Sequence, residues 1–133
     1  MNWTKKFHAT SSMPQKQGRF ALFIGRWQPL HEGHKALFDR VLKEGKNVCI
    51  AIRDINPDEK NPFAPEDVKK NIEIEYSEYI EKGRVKVIII PDISSVEFGR
   101  GVGYDIIEHI PPPEIADISA TKIREQMKKD GKL

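Results

Sequence analysis

Apolar residues along the chain fall in short continuous runs separated by amphipathic stretches, and that alternation predicts the class of fold. Phe20-Ala21-Leu22-Phe23-Ile24, Asn47-Val48-Cys49-Ile50-Ala51-Ile52 and Val85 to Ile90 have the composition of strands buried in a parallel sheet. Lys35 to Glu44 reads as an amphipathic helix between the first two, closed by Gly45. A second helix is signalled from Pro65, with Glu66 and Asp67 in its first turn and Val68, Ile72, Tyr76, Tyr79 and Ile80 at helical spacing; Gly83 ends it. Val96-Glu97-Phe98 and Tyr104 to Ile110 are candidates for a fourth and fifth strand. After the prolines at 111 to 113, Ser119 caps a last helix running to about Lys129. The expected architecture is α/β: a Rossmann-like open parallel sheet of about five strands with helices on both faces and the loops gathered at its carboxyl edge.

The first strand-to-helix junction carries the strongest chemical signal. Residues Gly25 to His34 read G-R-W-Q-P-L-H-E-G-H. Gly25 ends the strand where the backbone turns closely, Pro29 stiffens the loop, and Gly33 lets the main chain approach a ligand at the helix start. Such a junction turns amide groups and the positive helix end toward a bound polyphosphate, with His31 and His34 flanking the same anion. Between the second strand and second helix lies Asn56-Pro57-Asp58-Glu59-Lys60-Asn61-Pro62, a turn-rich loop able to close over a ligand. Arg53 and Asp54 stand at the carboxyl end of the second strand.

Size and charge narrow the class further. The 133 residues suit one domain, expected over 19–133, behind a flexible N-terminal arm at 1–18 whose composition does not repay ordering entropy. Its aromatic residues could dock on the domain or on a second copy, which leaves a homo-oligomer open. Twenty-two basic residues against 20 acidic ones give a net charge of +2, so no general attraction for nucleic acid or an acidic membrane is expected. Cys49 is the single cysteine and has no internal partner, which fits a reducing cytoplasm. No apolar run is long enough to span a bilayer, and the N-terminus lacks the apolar core of a secretory signal.

His31-Glu32-Gly33-His34 resembles the H-x-G-H signature of the nucleotidylyltransferase superfamily, and Ile118-Ser119-Ala120-Thr121-Lys122-Ile123-Arg124 is similar to its I-S-S-T-x-x-R element, with alanine for the second serine. Arg26-Trp27-Gln28-Pro29 and Asn61-Pro62-Phe63 resemble segments of the archaeal-type nicotinamide mononucleotide adenylyltransferase branch. Gly99-Arg100-Gly101-Val102-Gly103-Tyr104 is similar to a segment of nucleotidylyltransferase domains found beside adenylylsulfate kinase-like domains. The resemblance implies that an acceptor phosphate attacks the α-phosphorus of a nucleoside triphosphate and that pyrophosphate leaves. It makes His31, His34 and Arg124 the catalytic candidates. Gly25, Arg26, Trp27, Gln28, Gly33, Ser119, Thr121 and Lys122 are the nucleotide-binding candidates, with Asp54 and Arg100 on the acceptor side. Mg²⁺ is the implied cofactor, carried by the nucleotide rather than by protein ligands.

Plainer roles compete at several of these positions. Two histidines at i and i+3 could ligate a metal, but a closed zinc site needs more ligands than the sequence places nearby. Ser119 and Thr121 could merely cap a helix, Arg124 could be a solvated ion-pair partner, and Lys122 could belong with Lys128 and Lys129 to a solvated face. Trp27 could stack on a base or pack beneath the loop. Members of the superfamily that use CTP often carry R-T-x-G-I-S-T before the serine; here that stretch is Glu114-Ile115-Ala116-Asp117-Ile118, which favours ATP. Pro91 to Phe98 holds no tryptophan to stack on a nicotinamide, so the expected acceptor is the broader class of small phosphorylated metabolites. A cytidylyltransferase of a phosphorylated alcohol or sugar, or a non-catalytic nucleotide-binding module, are the alternatives.

Overall fold

A computed structural model describes residues 4–9, 19–116 and 119–132. In chain order the elements are β1 (Thr4–Ala9), β2 (Phe20–Gly25), α1 (Glu32–Lys43), β3 (Asn47–Asp54), α2 (Pro65–Glu75), α3 (Ser77–Glu81), β4 (Val85–Pro91), β5 (Asp105–His109), α4 (Pro113–Ala116) and α5 (Ala120–Lys129). The three apolar runs form one parallel sheet in the order β2-β3-β4, with Phe23 beside Ile50 and Ile50 beside Val87. The α/β class and the parallel sheet are as the hydrophobic pattern predicts.

The sheet order places the core. Each strand is laid down beside the previous one in the same direction, so two right-handed crossovers put α1 and α2 on one face of these three strands. There Phe38, Val41 and Leu42 of α1 and Val68 and Ile72 of α2 close over Val48, Ile50, Ile52, Val85 and Val87. Strand alternation sends the other set of side chains to the opposite face, where Leu22 is 57% and Ile88 39% exposed. At the same carboxyl edge, Trp27 lies under the loop with its indole against Phe38, centroids 5.2 Å apart, and its Nε1 donates to the Ala51 carbonyl at 3.0 Å.

Elsewhere tertiary contacts revise the sequence pattern. The helix expected from Pro65 through Ile80 breaks at Tyr76, whose backbone (φ −109°, ψ 23°) leaves the helical region between α2 and α3. Its hydroxyl donates to Asp39 on α1 at 3.1 Å, and its ring is buried against Phe38. No strand forms at Val96–Phe98; β4 ends on Pro91, which lacks the amide that a continuing ladder needs, and 92–104 is loop. β5 forms where expected but does not join the parallel sheet. It pairs antiparallel with β1, from Thr4 beside His109 to Ala9 beside Asp105. Part of the segment expected as an arm thus supplies a strand, and the five strands divide into a sheet of three and a ribbon of two.

Gly25 is required for a steric reason. A Cβ built there would lie 2.8 Å from the indole of Trp27, which cannot retreat because it is buried and hydrogen-bonded. Trp27 itself sits at φ +52°, a left-handed conformation held by that same burial. Gly25→Ala should therefore destabilise the fold by about 1–3 kcal/mol, the usual cost of overpacking. Urea unfolding of the variant beside the parent measures it, and unchanged stability would show that Trp27 moves freely.

Candidate functional site

The start of α1 is built from the two histidines. His31 is the N-cap residue, in extended conformation (φ −137°, ψ 176°), and its ring Nδ1 accepts from the amides of Gly33 at 3.0 Å and His34 at 3.4 Å. His34, three positions on, returns the contact: its Nδ1 accepts from the His31 amide at 3.2 Å. This is a capping box with imidazoles in the places commonly held by serine and glutamate. The rings stack 3.6 Å apart at 20°, and the His34 ring meets the edge of Trp27 at 4.8 Å. Gly33 fits between because a Cβ there would lie 2.9 Å from the His31 ring.

Chemical consequences follow from that geometry. An Nδ1 that accepts carries no proton, so each neutral imidazole holds its hydrogen on Nε2 and has an N–H left to donate. The amides expected to meet an anion are partly spent: those of Gly33 and His34 point at His31, so ring N–H groups take over as donors. Burial lowers the His34 pKa to about 4, with the neighbouring His31 adding to the effect. Burial also lowers His31, partly opposed by Glu32. Both rings are neutral at pH 7, and an arriving phosphate would raise their affinity for protons.

The carboxyl-terminal cluster reaches the same loop. Ser119 caps α5 by accepting from the Lys122 amide at 3.1 Å. Arg124 donates to the main-chain carbonyl of Gln28 and, at 3.4 Å, to the Thr121 hydroxyl. Near α4, the Ile115 carbonyl lies 3.5 Å from a Cβ built on Gly33. Ninety-six positions of sequence separate Gln28 from Arg124, yet the two are in direct contact. Thr121 and Lys122 are exposed, and Ile118 lies outside the described residues.

Gln28 and Trp27 are nucleotide-binding candidates by resemblance, with packing beneath the loop the other reading of Trp27; in the structure the side-chain polar groups of both are bonded within the protein. The Gln28 side chain is 3% exposed and reads the backbone of Phe63 as a strand would: its Nε2 donates to the Phe63 carbonyl and its Oε1 accepts from the Phe63 amide, both at 2.9 Å. One residue therefore joins the histidine loop, the 55–64 loop and, through its carbonyl, Arg124. Asp58 holds the tip of the 55–64 loop, with Oδ1 accepting from the amides of Lys60 at 2.9 Å and Asn61 at 2.7 Å. Those bonds, led by the Asn61 amide, depress the Asp58 pKa, and Arg26 adds attraction.

Beside this assembly the carboxyl ends of β2 and β3 and the residues after β4 border an open cavity of about 450 Å³ lined by Arg26, Arg53, Asp54, Asn56, Asp58 and Asp92 among others. Arg53 is committed to Asp92 at 2.7 Å and to the Ile93 carbonyl at 3.1 Å. Of the expected residues, Arg26 and Asp54 face this cavity, whereas Arg100 is exposed on the glycine-rich loop and does not line it. Asn56, Asp58 and Asp92 were not singled out by sequence. Position was the available signal: Asp92 directly follows the third apolar run, and Asn56 and Asp58 belong to the turn-rich loop after the second, where their types read as turn formers. Among the described residues no group of three or more histidine, cysteine or carboxylate side chains is placed to hold a metal ion, and no helix is long and apolar enough to cross a membrane.

Comparison with known proteins finds similarity over part of the chain. Residues 22–74 match the cytidylyltransferase-like family. Nicotinamide-nucleotide adenylyltransferase of Methanocorpusculum labreanum is 43% identical over 47 residues, 34% of this chain and 28% of that protein. Nicotinamide/nicotinic acid mononucleotide adenylyltransferase of Acinetobacter baylyi is 32% identical over 76 residues, 56% of this chain and 40% of that protein. The Thermococcus sibiricus nicotinamide-nucleotide adenylyltransferase is 33% identical over 76 residues, 55% and 41% of the two chains. The matches span less than half the length of these relatives, and they support the nucleotidylyltransferase superfamily.

Two predictions follow from the histidine pair and the Gln28 clamp. An unfolded imidazole protonates near 6.5 and the folded His34 near 4, so between those values the unfolded chain binds more protons and stability falls as pH drops. His34→Gln keeps a capping side chain but does not titrate, so the Tm of the variant should fall less than that of the parent between pH 7 and 5. Parallel curves would remove His34 from the acid response. Gln28→Ala leaves the Phe63 amide and carbonyl unpaired, at a cost of about 1–3 kcal/mol in urea unfolding, with faster amide hydrogen exchange at Phe63.

Proposed function

We propose that the chain transfers a nucleoside monophosphate, AMP in preference, from a nucleoside triphosphate to a small phosphorylated acceptor and releases pyrophosphate. What carries this reading is the meeting of two imidazoles from one end of the chain with Arg124 from the other around the loop at residues 26–31. The relatives named as adenylyltransferases support the choice of ATP.

In this reading an oxygen of the acceptor phosphate forms a bond to the α-phosphorus, the bond to the bridging oxygen breaks, and the electron pair leaves with pyrophosphate. Two anions must be held together while charge builds on the α-phosphoryl oxygens and the leaving group. The Nε2–H groups of His31 and His34 are donors aimed away from the cap that fixes them, so they meet that charge with little reorganisation. Ser119, Thr121 and Arg124 hold the β- and γ-phosphates in the same reading, with Lys122 alongside. In this reading Mg²⁺ accompanies the triphosphate as its counter-ion. The role of Gln28 is to keep Arg124 and the 55–64 loop in register with the histidines.

The test is pyrophosphate release from ATP or CTP with Mg²⁺ and a panel of phosphorylated acceptors. Loss of one transition-state donor costs about 3 kcal/mol, so His34→Ala and Arg124→Ala should each lower kcat/KM at least about a hundredfold with an unchanged circular dichroism spectrum. Faster turnover of CTP would reassign the base, and nucleotide binding without turnover across the panel would make the domain a binding module.

A further inference from the structure

We infer that the acceptor is a phosphorylated polyol, such as a sugar phosphate, rather than a mononucleotide carrying a flat pyridine ring. This rests on the transfer reading above and concerns the cavity at the strand ends. A pyridine ring needs an aromatic or apolar wall to repay its desolvation. Among the described residues the cavity has none: its walls are charged or amide side chains with Ile55 as the lone apolar member. Trp27, adjacent to Arg26, cannot swing in, because its indole is 7% exposed, packs over Gly25 and Phe38, and has its N–H committed to Ala51.

The uncommitted polar groups define what would bind instead. Arg53 and Asp92 neutralise each other, and Asp58 is turned into its own loop by the amides of Lys60 and Asn61. Arg26, Asp54 and Asn56 line the cavity with no side-chain hydrogen bond or ion pair to another described residue. Arg26, next in sequence to Trp27, whose ring meets His34, is the group for the acceptor phosphate. Asp54 and Asn56 lie beyond it at the end of β3. A carboxylate accepts two hydroxyl hydrogen bonds and an amide offers both a donor and an acceptor, a set matched to neighbouring hydroxyls. The same carboxylate repels a second phosphate or a ring carboxylate, and a trimethylammonium head offers Asp54 and Asn56 no hydrogen-bond donor.

The experiment combines two measurements on the intact chain. Thermal shift with ATP or CTP and Mg²⁺ reports the nucleotide site, while pyrophosphate release reports the acceptor, with glycerol phosphate, ribose phosphate, hexose phosphate, phosphocholine and nicotinamide mononucleotide as probes. The expected result is nucleotide stabilisation together with a kcat/KM for a polyol phosphate at least tenfold above that for nicotinamide mononucleotide or phosphocholine. Asp54→Asn should then raise the KM for the polyol phosphate at least fivefold and leave the nucleotide shift unchanged. Preference for nicotinamide mononucleotide or phosphocholine, an unaltered KM in Asp54→Asn, or stabilisation by nucleotide without turnover of any polyol phosphate would each overturn the inference while sparing the nucleotide site. Absence of both nucleotide stabilisation and pyrophosphate release would bring down the transfer reading and this inference together.

Discussion

The reciprocal cap between His31 and His34 is the constraint on which the candidate site depends. It satisfies the first amides of α1, sets both imidazoles in the tautomer that leaves Nε2–H free to donate, and stacks the rings at 3.6 Å. It also accounts for the spacing of the motif. A side chain three residues after the N-cap can reach back to the cap amide, and a Cβ on the intervening Gly33 would strike the His31 ring. One local arrangement thus does structural and chemical duty. The low proton affinity of His34 comes from the same burial that makes the cap firm.

From that cap the assembly spreads through Gln28. Its side chain imitates a peptide group toward Phe63 while its own carbonyl receives Arg124, so three distant segments share one buried residue. A buried amide with both ends satisfied contributes little net free energy per bond but makes any displacement expensive. This fixes the relation between the wall of the cavity, the histidine loop and the start of α5. Trp27 fixes the loop from below by the same logic, through one hydrogen bond and an aromatic cluster with Phe38 and His34.

The sheet determines where all of this sits. Parallel strands laid in one direction carry α1 and α2 to a single face and deliver the loops after β2 and β3 to a single edge, which is why Arg26, Asp54 and Asn56 share a cavity. The committed pairs around that cavity, Arg53 with Asp92 and Asp58 with its loop, leave a small set of open groups, and those carry the chemistry of selection.

Much was legible in the chain because it is local. The three buried strands, the helix starting at Pro65 and the capping role of Ser119 follow from runs, periodicity and cap residues. The H-x-G-H and S-x-T-x-x-R patterns marked the junction and the last helix, since caps are short-range features of sequence. Tertiary structure alone decided the rest. Tyr76 leaves its helix to bond Asp39, β5 turns to β1 instead of the parallel sheet, and Trp27 and Gln28 face inward because their polar atoms find partners on Ala51 and Phe63. Such choices rest on pairings between residues far apart in the chain, where the competing alternatives have equal local propensity and only packing separates them.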